Sequence, residues 1–415
     1  MRKKIIHLLS LTVLFLVLQS CAKEEKACYE SYTYWTEVPE YHSWEEIRAD
    51  IVTKGPQVLK KPGKIYFYQD YIFINEQRKG IHIVDNSVPA APTFVSFIAI
   101  PGNMDMSIRN SVLYADNYTD LLTIDLTDLT DAKLIKRVEN AFPPDYIDPA
   151  KGVLTHYKQE EVTQVVNCQE YYSLSIGVNP VFDANGGGRA GGDGIGGSFA
   201  RFTLVGDYLY TVSDRDISVF DLQDFKCPVQ ANTLSIGFGI ETIFPYDGRL
   251  FVGSTMGMNI YDLGNPTVPE YISGYDHWTG CDPVFVAGNY AYVTIRSGRF
   301  CGQAIDQLDV LDISNIYNPV LEKSFEMENP QGLSIKNETL YLCEGQAGLK
   351  VFDVRQPLVL NEHLKAHLKD FAAYDVITLP GADPILLLIG EDGFYQFDIS
   401  DPFAPIKLSH IPAVN

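Results

Sequence analysis

The chain has 415 residues, with 53 acidic side chains against 32 basic ones and a formal net charge of −21. A surface this negative repels phosphate backbones and anionic headgroups, so nucleic acid is excluded as an expected partner and any membrane attachment must come from something other than protein charge.

At the N-terminus, Arg2, Lys3 and Lys4 precede a largely apolar stretch of 14 residues, Ile5 to Leu18. That stretch is short for a membrane span and no stop-transfer pattern follows, so residues 1–20 are expected to be a secretory signal. Leu18-Gln19-Ser20-Cys21 resembles the lipobox of bacterial lipoproteins, which implies that Cys21 carries the lipid and begins the mature chain; Gln19 departs from the usual small residue. Ala22-Lys23-Glu24-Glu25-Lys26 resembles the tag that sends lipoproteins to the outer leaflet of the outer membrane, with a solvated linker as the alternative. The expectation is an envelope protein, lipid-anchored at Cys21 to the outer membrane and facing outward, with residues 21–46 as linker.

The rest of the chain is governed by a repeat. An apolar residue, two variable ones, another apolar residue and an aspartate recur, ending at Asp85, Asp125, Asp221, Asp262, Asp312, Asp353 and Asp398. Spacings of 40, 41, 50, 41 and 45 residues suit a four-stranded unit, and the one spacing of 96 suits two units with an insertion. Units over about 64–99, 103–139, 199–236, 238–274, 283–325, 328–371 and 372–411 each hold short apolar runs separated by turns. The expected fold is all-β: a seven-bladed β-propeller of four-stranded antiparallel blades over residues 47–415, with one long insertion, about 140–198, between the second and third blades. Ile47 to Thr53 is a candidate additional strand. The repeated aspartates stand just before Ser, Asn, Pro or Gly, where a carboxylate accepts backbone N–H bonds, so their expected role is turn capping and not metal binding.

Ile81-His82-Ile83-Val84-Asp85 and Leu308-Asp309-Val310-Leu311-Asp312 resemble the repeat for which the LVIVD-repeat proteins are named. The resemblance covers residues 64–411 and is nearest to the seven-repeat lipoprotein branch. It implies a propeller at the cell envelope and supplies no catalytic residues.

Two places are candidates for function. Aligning the starts of the first strands puts Lys64, Asp105, Arg201, Glu241, Asp282, Gly332 and Asp375 at one equivalent position, a charged ring around the expected central funnel. Such a ring is either a ligand site or an ion-pair network that neutralises itself. The insertion holds Tyr171 and Tyr172, candidate contacts for a partner, and ends in a glycine-rich stretch, Asp183 to Ser198, expected to be a flexible linker. Besides Cys21 there are six cysteines; Cys281 and Cys301 bracket one loop and are the expected disulfide, Cys28 with Cys168 is a further candidate, and Cys343 is either paired or a buried thiol. No metal site, cofactor or catalytic motif is expected. The reading that follows is a monomeric, non-enzymatic scaffold for an envelope protein or an extracellular glycan. Its alternatives are a glycan-active or other hydrolase using the acidic funnel, and a structural envelope component.

Overall fold

The computed structural model describes residues 29–144, 146–167, 195–277, 283–296 and 305–414. Two compact units make up the chain. In the first, residues 29–38 and 157–167 are described; they belong to the neighbouring strands Tyr29–His42 and Gly152–Asn167, and the Thr33 and Thr163 hydroxyls lie 3.0 Å apart. Residues 29–42, assigned from the sequence to the linker, are therefore strand. Thr33, Tyr34, Trp35, Thr36 and Val38 are β-branched or aromatic, which suits a pleated ribbon.

The second unit repeats one antiparallel meander of four strands. Its first copy consists of Pro62–Tyr68, Tyr71–Glu76, Gly80–Asp85 and Thr93–Ala99, and the order recurs over 106–138, 202–235, 240–276, 284–326, 333–368 and 375–412. Two short strands extend the first sheet: Val52–Lys54 pairs with Thr93–Ala99 on its outer edge, and Ile195–Gly196 pairs with Tyr66 and Phe67 on its inner edge. Helix is confined, among the described residues, to Trp44–Ile47 and a 3-10 turn at Pro357–Glu362. No helix of the described residues is long and apolar enough to cross a membrane.

Each repeated aspartate ends a third strand, and in every copy its carboxylate accepts the backbone N–H two residues on, at 2.7 Å from Ser314 to Asp312 and at 3.2 Å from Gly264 to Asp262 at the extremes. The carboxylates are thus consumed by the turns they begin. In every copy the pairing of third and fourth strands also slips at one place just before the aspartate, as between Ile83 and Val84 or Val310 and Leu311. A bulge repeated at one position adds the same local twist to each sheet.

The sheets bury both faces against each other. Ile83 and Ile98 of the first sheet pack with Ile108 and Leu113 of the second, and each further cluster is shared by sheets consecutive in the chain. A last cluster returns to the start, placing Ile377, Leu387 and Phe394 against Ile65, Ile72 and Ile74. Tyrosines of the second strands fasten neighbours together: Tyr114, Tyr210 and Tyr341 are buried and donate their hydroxyls to the carbonyls of Phe225, Pro266 and Pro402 in the following sheet.

Candidate functional site

The first strands bring part of the predicted charged ring together. Lys64 Nζ donates to Asp105 Oδ2 at 2.9 Å, with both side chains nearly buried. The same oxygen accepts the backbone N–H groups of Arg201 at 2.7 Å and Phe202 at 3.1 Å, and Oδ1 accepts that of Met106 at 2.6 Å. Arg201 therefore meets Asp105 through its backbone. Asp375 is 3% exposed and accepts Val376 N–H at 2.9 Å, while Glu241 is half-buried and Gly332 donates its N–H to Tyr374. Asp282, Tyr171, Tyr172, Cys281, Cys301 and the expected lipid position Cys21 lie outside the described residues. Cys343 is buried and forms no disulfide, and its burial raises the thiol well above its ordinary value.

Between these inner strands runs the chain's own segment 195–202. It pairs with Tyr66 and Phe67 of the first sheet, its Ser198 hydroxyl accepts Leu333 N–H of the sixth at 2.7 Å, and its Ala200 carbonyl accepts Ile243 N–H of the fourth at 2.8 Å. Phe199 is fully buried beneath the Arg296 guanidinium, 5.6 Å from the ring centroid. A Cβ placed on Gly197 would stand 1.9 Å from Asp375 Oδ2. The glycine stretch expected to be a flexible linker thus ends, from residue 195, in packed structure. Glycine is needed there because the backbone passes directly over a buried carboxylate.

Burial pushes the Asp375 carboxyl up to about 7, with Val376, Ser198 and the charge of Lys64 pulling the other way. An unfolded aspartate titrates near about 4. Between those values the folded chain holds the proton more tightly, so this group's contribution to stability falls as pH rises from about 4 to about 7 and is constant above. The difference in Tm, Asp375→Asn minus wild type, is expected to increase across that window. A difference independent of pH, measured by calorimetry, would contradict a buried, proton-holding Asp375.

Beside Lys64 and Asp105 opens a half-open cleft of about 250 Å³, lined by Asp105, Asp116, Tyr118, Leu154, Thr155, Arg201 and Asp214 among others. Tyr118 stacks on His42, with centroids 5.0 Å apart. Burial pushes the Asp116 carboxyl up to about 6; its Oδ1 accepts Met104 and Asp105 N–H at 2.8 and 2.9 Å and the Asn103 amide at 2.8 Å. Asp116 and Tyr118 were not singled out by the repeat alignment, because they lie on and just after a second strand and not at the start of a first.

Sheets that pack in sequence order, with the last against the first, define a β-propeller. Solved structures agree in fold alone: a protein from Lactobacillus plantarum is 12% identical with a TM-score of 0.53, covering 85% of this chain and 97% of its own. The Pseudomonas aeruginosa periplasmic gluconolactonase PpgL is 10% identical with a TM-score of 0.52 over 85% and 96%, and the computationally designed Ika8 protein is 9% identical with 0.51 over 87% and 91%. No curated protein matches the chain. The LVIVD repeat family model matches residues 63–99 and 281–326, over the first and fifth sheets, so the chain carries LVIVD repeats on a β-propeller.

Proposed function

We propose that this is a lipid-anchored envelope protein whose seven blades form a closed ring, interrupted after the second blade by the insertion, and that the ring is a non-enzymatic, monomeric scaffold binding a protein or glycan. Residues 1–20 are its export signal, Cys21 its lipid anchor, and the outer face of the outer membrane its location. The observation that carries the scaffold reading is the occupied ring centre. With segment 195–202 lying across the inner strands, Asp105 is held by Lys64 and two backbone N–H groups, and Asp375 accepts Val376 N–H beneath Gly197, so neither of these two carboxylates stands open to a substrate. Recognition then falls to the cleft at Tyr118 and Arg201 and to the insertion beside it.

Glycan-array and pull-down measurements on the chain from residue 28 onward test this. Tyr118→Ala with Asp214→Lys is expected to lose the retained partner while keeping a single cooperative melting transition, and Asp375→Asn to retain it. Retention by the cleft variant would sink the reading.

Asp116 favours a second reading. A carboxyl held near pH 6 beside Asp105 at the wall of a cleft is suited to general acid work, and the gluconolactonase PpgL, similar in fold alone, makes lactones a reasonable first substrate to try. Lactone or polysaccharide turnover abolished by Asp116→Asn would replace the scaffold with a hydrolase.

A further inference from the structure

Away from the ring centre, the loop 55–61 and the outer strands of the first sheet line a second half-open cavity, of about 530 Å³. In a chain with far more acidic than basic side chains, its lining holds four cations, Lys54, Lys60, Arg78 and Lys79, and one carboxylate, Glu76. Gathering like charges costs energy that solvent screening only partly offsets.

Glu76 offsets only one of these charges and is bonded elsewhere. It is 4% exposed and turned into the sheet, where Oε1 accepts Lys61 N–H at 2.7 Å, Oε2 accepts Lys60 N–H at 2.9 Å, and His82 Nε2 lies 3.1 Å from Oε2. Those bonds lower the Glu76 pKa against the effect of its burial, so it stays an anion, and they fix the backbone from which the Lys60 side chain emerges. Lys54, Lys60 and Lys79 are exposed and form no ion pair with any described carboxylate. Val58, Phe97, Ala99 and Pro101 supply an apolar wall.

We propose that this cavity is a binding site for a small organic dianion, a phosphate ester or a dicarboxylate, whose charge is met by Lys54, Lys60 and Lys79 and whose carbon frame lies against Val58 and Pro101. The volume falls within the range of about 300–1,000 Å³ typical of small-molecule pockets. A wall of four cations against one carboxylate, itself bonded to backbone N–H groups and His82, leaves a net positive potential that favours a compact anion. The site is independent of the cleft at Tyr118 and of the scaffold reading.

Titration calorimetry with glucose 1-phosphate, succinate and, as the uncharged control, glucose tests it. At least one of the two dianions is expected to bind and glucose not to, and which of them binds separates phosphate from dicarboxylate. Lys54→Gln with Lys79→Gln should weaken that binding about tenfold or more, in line with charge-assisted hydrogen bonds. Both lysines are exposed, so folding should be unaffected, and Lys133→Gln on another sheet should bind as wild type. Equal binding by the double variant, equal binding of glucose, or no binding of either dianion at millimolar concentration would overturn the proposal.

Discussion

Removal of residues 371–415 is expected to leave an insoluble chain, although it deletes only the last sheet. The reason lies in what that sheet covers. One face holds Ile377, Leu379, Leu387 and Phe394 against Ile65, Ile72, Ile74 and Val84 of the first sheet. Its other face holds Val376, Leu386, Leu388 and Phe397 against Tyr341, Leu349 and Val351 of the sixth. Every one of these side chains is at most 2% exposed, and each aliphatic one contributes about 1.5–3 kcal/mol by its burial. Deletion therefore uncovers two apolar faces at once, and the aliphatic side chains named on the remaining sheets represent about 9–18 kcal/mol of burial, comparable with the whole net stability of an ordinary domain, about 5–15 kcal/mol. Exposed sheet faces of this size associate with other copies. The measurement is the soluble fraction after expression, followed by a melting curve on whatever is soluble. A soluble truncation with a single cooperative transition would show that the first and sixth sheets do not depend on the last.

The aspartate repeat made the sheets legible in the sequence because it is a local signal: carboxylate and capped N–H are two residues apart, so the turn is encoded by its own residues. The observed sheets accordingly begin and end within a few residues of the repeat units. A second local signal lies in the glycines. Gly80, Gly257, Gly348 and Gly393 stand five residues before an aspartate, with φ between 91° and 143°, and a Cβ on Gly80 would lie 2.0 Å from Ile98 O of the fourth strand. That glycine marks a tight entry to the third strand.

The site was legible only in part, because its geometry depends on residues far apart in the chain. The repeat phase placed Lys64 and Asp105 at equivalent positions on neighbouring strands, and they do form an ion pair. It did not reveal that Arg201 meets Asp105 through its N–H, which depends on where segment 195–202 runs. Asp116 had a signal that only the register exposes. The second-strand residue at its position is Asn75, Val212, Gly253, Thr294, Cys343 or Ile389 in the other sheets, so Asp116 is the one carboxylate of the set. Residues 29–42 and 152–167 belong to no repeat, and their pairing joins segments more than a hundred positions apart.

The same segment 195–202 carries the second large effect. Gly197→Val is expected to lower the melting temperature by roughly 10 °C. A Cβ at Gly197 would sit 1.9 Å from Asp375 Oδ2 and within 2.5 Å of the other carboxylate atoms. The carboxylate has nowhere to go: Oδ1 is held by Val376 N–H, and Gly332 on its other side is close enough that a Cβ there would lie 2.3 Å away. The segment must move instead, giving up the Ser198 bond to Leu333 N–H and the seat of Phe199. Overpacking of about 1–3 kcal/mol and an orphaned buried N–H of about 1–3 kcal/mol then add. At roughly 2–4 °C per kcal/mol for a large domain, this gives the stated shift. Gly55→Val, where no atom lies within 4 Å, is the control and should melt as wild type. Combining Gly197→Val with Asp375→Ala removes the obstacle, so the double variant should lose less stability than the sum of the single variants, as expected for residues in contact. Additive losses, or an unchanged melting temperature in Gly197→Val alone, would mean that the segment does not lie across Asp375 and that the ring centre is open to a ligand.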